Sequence, residues 1–271
     1  MTNSVLSRIE AAGIVAASSR GTEVISNATA NTKGSWTQLI ASTAFDAQGF
    51  ILQLNSETST GNKAFLIDIG IGAAASEQVI LANFHEWQYS AFGEHVSLQA
   101  YVPLAIPAGS RIAVRQQDSS GSSARNISVQ LLAGRLQNYG RAYTYGATTA
   151  SSNGTAVDPG ATANTDGAWA QMTASCDELR GFFICFGVGV STTKADSRYL
   201  VNVGVGGAGS EQVIVPDIAL TGIADGTLLL PAVTLFYPMV VTAGSRIALQ
   251  AQSTDNAAGT RIIHAVLYGF N

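Results

Sequence analysis

Three charged positions and one indole recur at matched places along this chain: Glu77 with Glu211, Arg111 with Arg246, Arg125 with Arg261, and Trp36 with Trp169. One carboxylate and two guanidiniums per copy are enough to bind an anion or polarise a substrate. In a chain with only 12% charged residues, a Glu and an Arg on neighbouring strands also serve to hold loop ends together, and both roles stay open at this level. The two tryptophans, each following a Thr-Gly-rich turn, suit a core anchor or a platform for a sugar ring.

Other reactive types offer less. His85, His95 and His264 are unmatched between the copies and lack metal-ligand spacing, so no metal and no cofactor is expected. Glu86 and Glu94 supply the two carboxylates that glycosidic cleavage needs, but nothing in their spacing brings them together. Neither a Gly-x-Ser-x-Gly elbow nor a His-Glu-x-x-His pair occurs, and the expectation is a protein that is not an enzyme. Cys176 and Cys185 read as two buried thiols. Where the copies differ most, Asn83 to Phe92 carries four aromatics, Phe84, Trp87, Tyr89 and Phe92. These are candidates for a hydrophobic contact or sugar-stacking loop, with packing beneath their own domain as the alternative.

The elements that position these residues are set by a duplication. Ala108-Gly109-Ser110-Arg111-Ile112-Ala113 returns unchanged at Ala243-Gly244-Ser245-Arg246-Ile247-Ala248. Ala28 to Trp36 answers Ala161 to Trp169 at an offset of 133, Ser76-Glu77-Gln78-Val79-Ile80 answers Ser210 to Ile214 at 134, and Arg125 answers Arg261 at 136. Single-residue drift between blocks places insertions in loops. Each block reads as a short strand bounded by Gly, Ser, Asn and Thr: 36–43, 50–55, 65–72, 77–81, 96–102, 111–117 and 126–132 in the first copy. In 111–117, Ile112 and Val114 alternate with Arg111, Ala113 and Arg115, the pattern of a half-buried strand. The alternating glycines of Ile69-Gly70-Ile71-Gly72 and Val203-Gly204-Val205-Gly206 predict something bulky lying flat on one face, with Trp36 and Trp169 as candidates.

The expected fold is therefore all-β: two tandem homologous antiparallel β-sandwich domains, jelly-roll-like, at 13–135 and 146–271, joined by a linker at 136–145. Residues 1–12 stand outside the repeat as an arm or short helix, capped at Asn3 or Ser4 and ended by Gly13.

Composition narrows the partners. A net charge of −4 and a pI near 5.3 give no basic field for nucleic acid. The longest apolar run, Leu228 to Val241, is broken by Pro231 and Pro238 and is too short to span a bilayer, and the first residues do not read as a secretory leader.

The stretches Thr29-Ala30-Asn31-Thr32-Lys33-Gly34-Ser35-Trp36, Ile67-Asp68-Ile69-Gly70-Ile71-Gly72 with Ser76-Glu77-Gln78-Val79-Ile80, and Ile106-Pro107-Ala108-Gly109-Ser110-Arg111 resemble β-rich structural proteins of tailed bacteriophages. The resemblance covers both copies from about Gly13 onward. It implies a virion protein, as capsid decoration, head fibre or tail component, assembled in the host cytoplasm with other virion proteins and as a homo-oligomer. It carries over no catalytic residue. Two alternatives remain: a carbohydrate-binding module, receptor-binding or lectin-like and directed at a host surface glycan, and, more weakly, a polysaccharide-degrading enzyme.

Overall fold

Short β-branched and aromatic runs punctuated by turn residues form pleated strands that must bury one face, and here they do so in antiparallel sheets. The computed structural model describes residues 6–56, 62–88, 98–189, 197–223, 228–255 and 261–271. It is all-β and sandwich-like, and it divides into two compact units: Met1–Phe84 with Gln88–Ala142 and Phe270–Asn271, and Tyr143–Gly269 with His85–Trp87.

The first unit contains β1 (Leu6–Ala12), β2 (Ile14–Val15), β3 (Arg20–Ile25), β4 (Thr37–Ile40), β5 (Gly49–Ser56), β6 (Lys63–Ile71), most of β7 (Gln78–Gln88), β8 (Leu98–Val102), β9 (Ile112–Asp118) and β10 (Ala124–Gly134). One sheet runs β2-β3-β10-β5-β8 with β1 also on β10, and the other runs β4-β9-β6-β7. Phe50, Leu52 and Leu54 on β5 and Ile67 and Ile69 on β6 belong to its core.

The second unit contains β11 (Ala142–Tyr145), β12 (Thr155–Val157), β13 (Ala170–Thr173), β14 (Gly181–Val188), β15 (Arg198–Val205), β16 (Gln212–Ile223), β17 (Leu228–Leu230), β18 (Ile247–Ser253) and β19 (Ile263–Phe270). Its sheets are β11-β19-β12, with β14 also on β19, and β13-β18-β15-β16-β17. Phe182, Ile184, Phe186, Val201, Val203 and Leu249 share its core.

Equivalent pairings occur in both units. Gly70 lies opposite Ala113 on β9, and Gly204 opposite Ala248 on β18. The register of β4 on β9 slips between Gln38 and Ile40, and that of β13 on β18 slips between Gln171 and Thr173. A β-bulge at the same place bends the strand that follows each tryptophan.

Of the two amino-terminal readings, arm or short helix, the helix is corrected over the described residues: Leu6–Ala12 is a strand, paired from Leu6 against Gly134 to Ala12 against Val129. The reason is long-range. β3 covers β10 only at 124–127, and the remainder of that edge takes β1, whose backbone would gain little as an isolated short helix. The expected linker changes in the same way, since its last residues form β11, which lies on β19 as β1 lies on β10. Each of these strands is followed by a glycine in the left-handed region, Gly13 (φ 77°) and Gly146 (φ 85°). The Thr22 hydroxyl donates to the Gly13 carbonyl and the Thr155 hydroxyl to the Gly146 carbonyl, both at 3.0 Å.

Two further expectations change. The strand expected at 77–81 continues to Gln88, and β9 is buried on both faces except at Arg115. The polar members of β9 are accommodated by internal bonds, as where the Gln116 amide donates to the carbonyls of Val24 at 2.8 Å and Ser123 at 2.9 Å.

The alternating glycines serve two purposes. A Cβ on Gly70 would stand 2.8 Å from Cη2 of Trp36, and one on Gly204 would stand 2.7 Å from Cη2 of Trp169. Gly72 (φ 113°) and Gly206 (φ 126°) instead open the turn into the next strand. Gly204→Ala is therefore expected to lower unfolding free energy by about 1–3 kcal/mol through overpacking. Gly140→Ala is the control and should be neutral, since its added carbon meets nothing closer than 3.9 Å. Urea unfolding followed by tryptophan fluorescence checks this, and equal losses in the two variants would contradict the tight indole contact.

Candidate functional site

The matched Arg and Glu come together in each unit. Arg111 precedes β9, Glu77 precedes β7, and Gly72 follows β6, so one turn and one loop end bring them within reach. Arg111 donates from Nη1 to Glu77 Oε1 at 2.8 Å and to the Gly72 carbonyl at 3.2 Å, and from Nε to Gln38 Oε1 at 2.8 Å. Arg246 repeats each bond: 2.6 Å to Glu211, 3.5 Å to the Gly206 carbonyl and 2.9 Å to Gln171. Burial pushes the carboxyls of Glu77 and Glu211 up, but their own backbone N–H groups, the guanidinium and one further backbone N–H together hold both below the ordinary value. These bonds tie a turn to two strands. A polar hollow of about 450 Å³ opens beside the first cluster, edged by Ser76, Gln78 and Ser110.

The second matched arginine does not join this cluster. Arg125 is buried, with its guanidinium carbon 3.9 Å from the centre of the Phe65 ring. Arg261 is buried as well and donates from Nε to Asp255 at 3.0 Å. The three shared charges thus form two separate structural arrangements in each unit.

A cluster that the matched positions did not reveal surrounds Asp68. Lys33 Nζ lies 2.8 Å from Oδ1, Arg115 Nε lies 2.9 Å from Oδ2, and the Asn83 backbone N–H donates to Oδ1 at 2.8 Å. Arg115 also stacks over Trp36 at 4.6 Å. Burial lowers the Lys33 pKa; Asp68 works against that shift and Arg115 adds to it. In the second unit the corresponding residues are Asp166, Asn202 and Gln250. There Asn202 accepts from the Asp217 N–H at 2.9 Å, and Gln250 donates to the Gly167 carbonyl at 2.8 Å. The bond from the next strand's backbone N–H is kept, while the carboxylate that accepts it becomes an amide and the two cations are replaced by Asp166 and Gln250. The signal in the sequence is a concerted one: all three charged positions change together between the copies.

Asp118, also buried, closes a loop by accepting from the backbone N–H groups of Ser120 and Gly121, both at 2.7 Å, and from the hydroxyls of Ser120 and Ser26. Burial raises its pKa, and those donors more than reverse the shift.

The aromatic loop candidates are corrected in part. Phe84 is fully buried within β7 and is no surface contact, because the strand extends through the segment read as a loop. Trp87 is half-buried, and Tyr89 and Phe92 lie outside the described residues. Of the carboxylate pair, Glu86 is buried and Glu94 lies outside the described residues, as does His95. His85 is buried, and desolvation, with His264 adding to it, lowers its pKa to about 3. His264 is half-buried in β19. Cys176 and Cys185 are buried free thiols whose pKa values burial raises. Among the described residues no group of three or more His, Cys, Asp or Glu is placed to hold a metal ion, and no helix is long and apolar enough to cross a membrane.

The second unit also has a cleft of about 270 Å³ over β15, β16 and β18, lined by Leu200 and Ala219 together with Asn164, Arg198, Thr221, Gln252 and Thr254.

No family model and no curated protein matches the chain. Solved structures similar to it include the glycosylasparaginase PNGase F from Flavobacterium meningosepticum, at 8% identity and TM-score 0.39, covering 98% of this chain and 96% of that one. The CBM22-1-CBM22-2 tandem domain of Paenibacillus barcinonensis Xyn10C matches at 10% identity and TM-score 0.29, covering 97% and 91%. A structure of infectious bursal disease virus, Gx strain, matches at 14% identity and TM-score 0.26, covering 84% and 57%. At such scores these likenesses decide nothing about activity or partner.

The titrating groups predict a distinct acid limb. His85 takes up a proton near its ordinary value of 6.5 when unfolded but only near 3 when folded, so its contribution is complete above 6.5 and is lost as pH falls towards 3. Glu77 and Glu211, held below 4.5, and Asp118, held below 3.8, contribute above those values and lose that contribution as pH falls through their lower folded values. Urea midpoints measured against pH should be level above neutrality and decline below 6.5. His85→Leu should flatten the upper part of that decline, and Glu77→Gln with Glu211→Gln the lower part. Unchanged slopes in these variants would count against the assignments.

Proposed function

We propose that this chain is a structural protein of a tailed-bacteriophage particle, two copies of one jelly-roll-like domain that work by subunit contact at the particle surface and not by catalysis. Capsid decoration, head fibre and tail component all fit this reading, with assembly in the host cytoplasm alongside other virion proteins. The observation that carries it is the fate of the recurrent charges. Arg111 with Glu77 and Arg246 with Glu211 are spent on the same strand and turn atoms in each unit, which is the use expected of a scaffold. Apolar side chains, by contrast, reach the surface, among them Val79 and Val213 at matched strand positions, 43% and 48% exposed. The resemblance of the Thr-Ala-Asn-Thr and Pro-Ala-Gly-Ser-Arg stretches to phage structural proteins supplies the biological setting.

A second reading, binding of a glycan, is favoured by the cleft of the second unit, whose lining combines the apolar Leu200 and Ala219 with amide and hydroxyl groups and Arg198.

Particles produced without this gene are expected to lose a surface component visible by electron microscopy and a band in their protein composition. Particles unchanged in both respects would remove the virion reading. On a glycan array, an oligosaccharide signal that falls about tenfold in Gln252→Ala would support the second reading, and an array without signal would sink it.

A further inference from the structure

The bonds that fasten Arg111 do not use all of it. A guanidinium carries five N–H groups in one plane. The one on Nε goes to Gln38, and the pair on Nη1 goes to Glu77 and the Gly72 carbonyl, so the pair on Nη2 meets no acceptor among the described residues. Arg111 also lines the polar hollow of about 450 Å³, together with Ser76, Gln78 and Ser110. The side chains of those three residues likewise bond to no described residue. No acidic side chain belongs to the lining, and that of Glu77 is only 2% exposed.

The two loops that carry this lining are braced. The Gly109 N–H donates to the Thr43 carbonyl and the Thr43 hydroxyl to the Pro107 carbonyl, both at 2.8 Å; the Ser76 N–H donates to the Ala73 carbonyl at 3.0 Å and the Gly72 N–H to the Arg111 carbonyl at 3.2 Å. Donors held in this way lose little freedom when a ligand arrives. The same four side chains return in sequence as Ser210, Gln212, Ser245 and Arg246, and Arg246 again leaves its Nη2 unengaged.

We propose that the hollow of the first unit binds an acidic sugar, a uronate residue within a polysaccharide, whose carboxylate is taken by Nη2 of Arg111 and whose hydroxyls are taken by Ser76, Gln78 and Ser110. The volume falls within the range of about 300–1,000 Å³ common to small-molecule sites. A lining with one cation and no anion favours an acceptor that carries negative charge, and a guanidinium already shared with Glu77 suits a singly charged carboxylate better than a phosphate dianion. Hydroxyl and amide groups match a polyhydroxylated ring, whereas the apolar contact that a peptide side chain needs is confined to Ile71 and Ala73. The inference goes beyond both functional readings, since it concerns another surface than the cleft of the second unit and is independent of any particle.

Calorimetric titration of the purified full chain with tetragalacturonate at low salt tests it, in a Gln212→Glu background that silences the matched position of the second unit. Binding is expected to be about tenfold or more tighter than that of neutral maltotetraose and to weaken as salt rises. Gln78 is exposed, so Gln78→Glu places a carboxylate in the hollow without disturbing the core and should lower the affinity about tenfold or more, while Gln78→Lys should keep or raise it. Unchanged urea midpoints show that both variants fold. The assignment is overturned by a titration without binding, by equal affinity for the two tetrasaccharides, by equal losses in the two Gln78 variants or no loss in Gln78→Glu, or by a tripeptide with a free carboxyl terminus that binds as tightly. Any of these results leaves the particle-composition and Gln252→Ala experiments to judge the other readings separately.

Discussion

The arrangement depends on the close approach of an indole ring to a strand that has no side chain at the point of contact. At Gly70 and Gly204 a Cβ would meet not only the tryptophan ring but also the Cβ of Glu77 or Glu211, 3.2 Å away in each case. The missing carbon therefore lets three elements converge: the loop carrying the tryptophan, the strand carrying the glycine, and the start of the next strand carrying the glutamate. Once the glutamate is seated there, its carboxylate is within reach of the arginine, and the arginine reaches the amide of Gln38 or Gln171 on the strand that follows the tryptophan. The charged cluster is thus a consequence of the packing and closes a loop around it.

That ordering explains why so few charges suffice. Desolvating a carboxylate or a guanidinium is costly, and it is tolerated where each keeps several partners. Arg111 and Arg246 satisfy this condition with a carboxylate, a carbonyl and an amide. Asp118 does so with backbone and hydroxyl donors. Groups committed in this way are held by several partners at once. The Asp68 cluster shows how much latitude remains: at the corresponding positions the amides of Asn202 and Gln250 bond to a backbone N–H and a carbonyl without the ion pairs.

The two units differ more at their margins than in their centres. The second has a cleft over β15, β16 and β18, and the first has exposed aliphatic residues on and around β1. Core packing constrains such margins least, which leaves them free to vary.

Much of this was present in the order of residues. The all-β class followed from the spacing of turn residues, and the repeat at 133 to 136 residues marked out the paired Arg, Glu and Trp before any distance was known. The Gly-x-Gly alternation announced a bulky neighbour because strand side chains alternate strictly in direction. What stayed hidden depends on partners distant in sequence. Leu6–Ala12 carries a pattern that suits a short helix as readily as a strand, and only the uncovered stretch of β10 decides between them. Phe84 lies in an aromatic-rich segment that reads as a loop and whose depth is set by how far β7 extends, and Lys33 meets Asp68 and Arg115 only once β6 and β9 are in register. Local periodicity determines which residues can share a face. Which faces and edges then meet is settled by pairing between segments many residues apart, and that was the contribution of the tertiary structure.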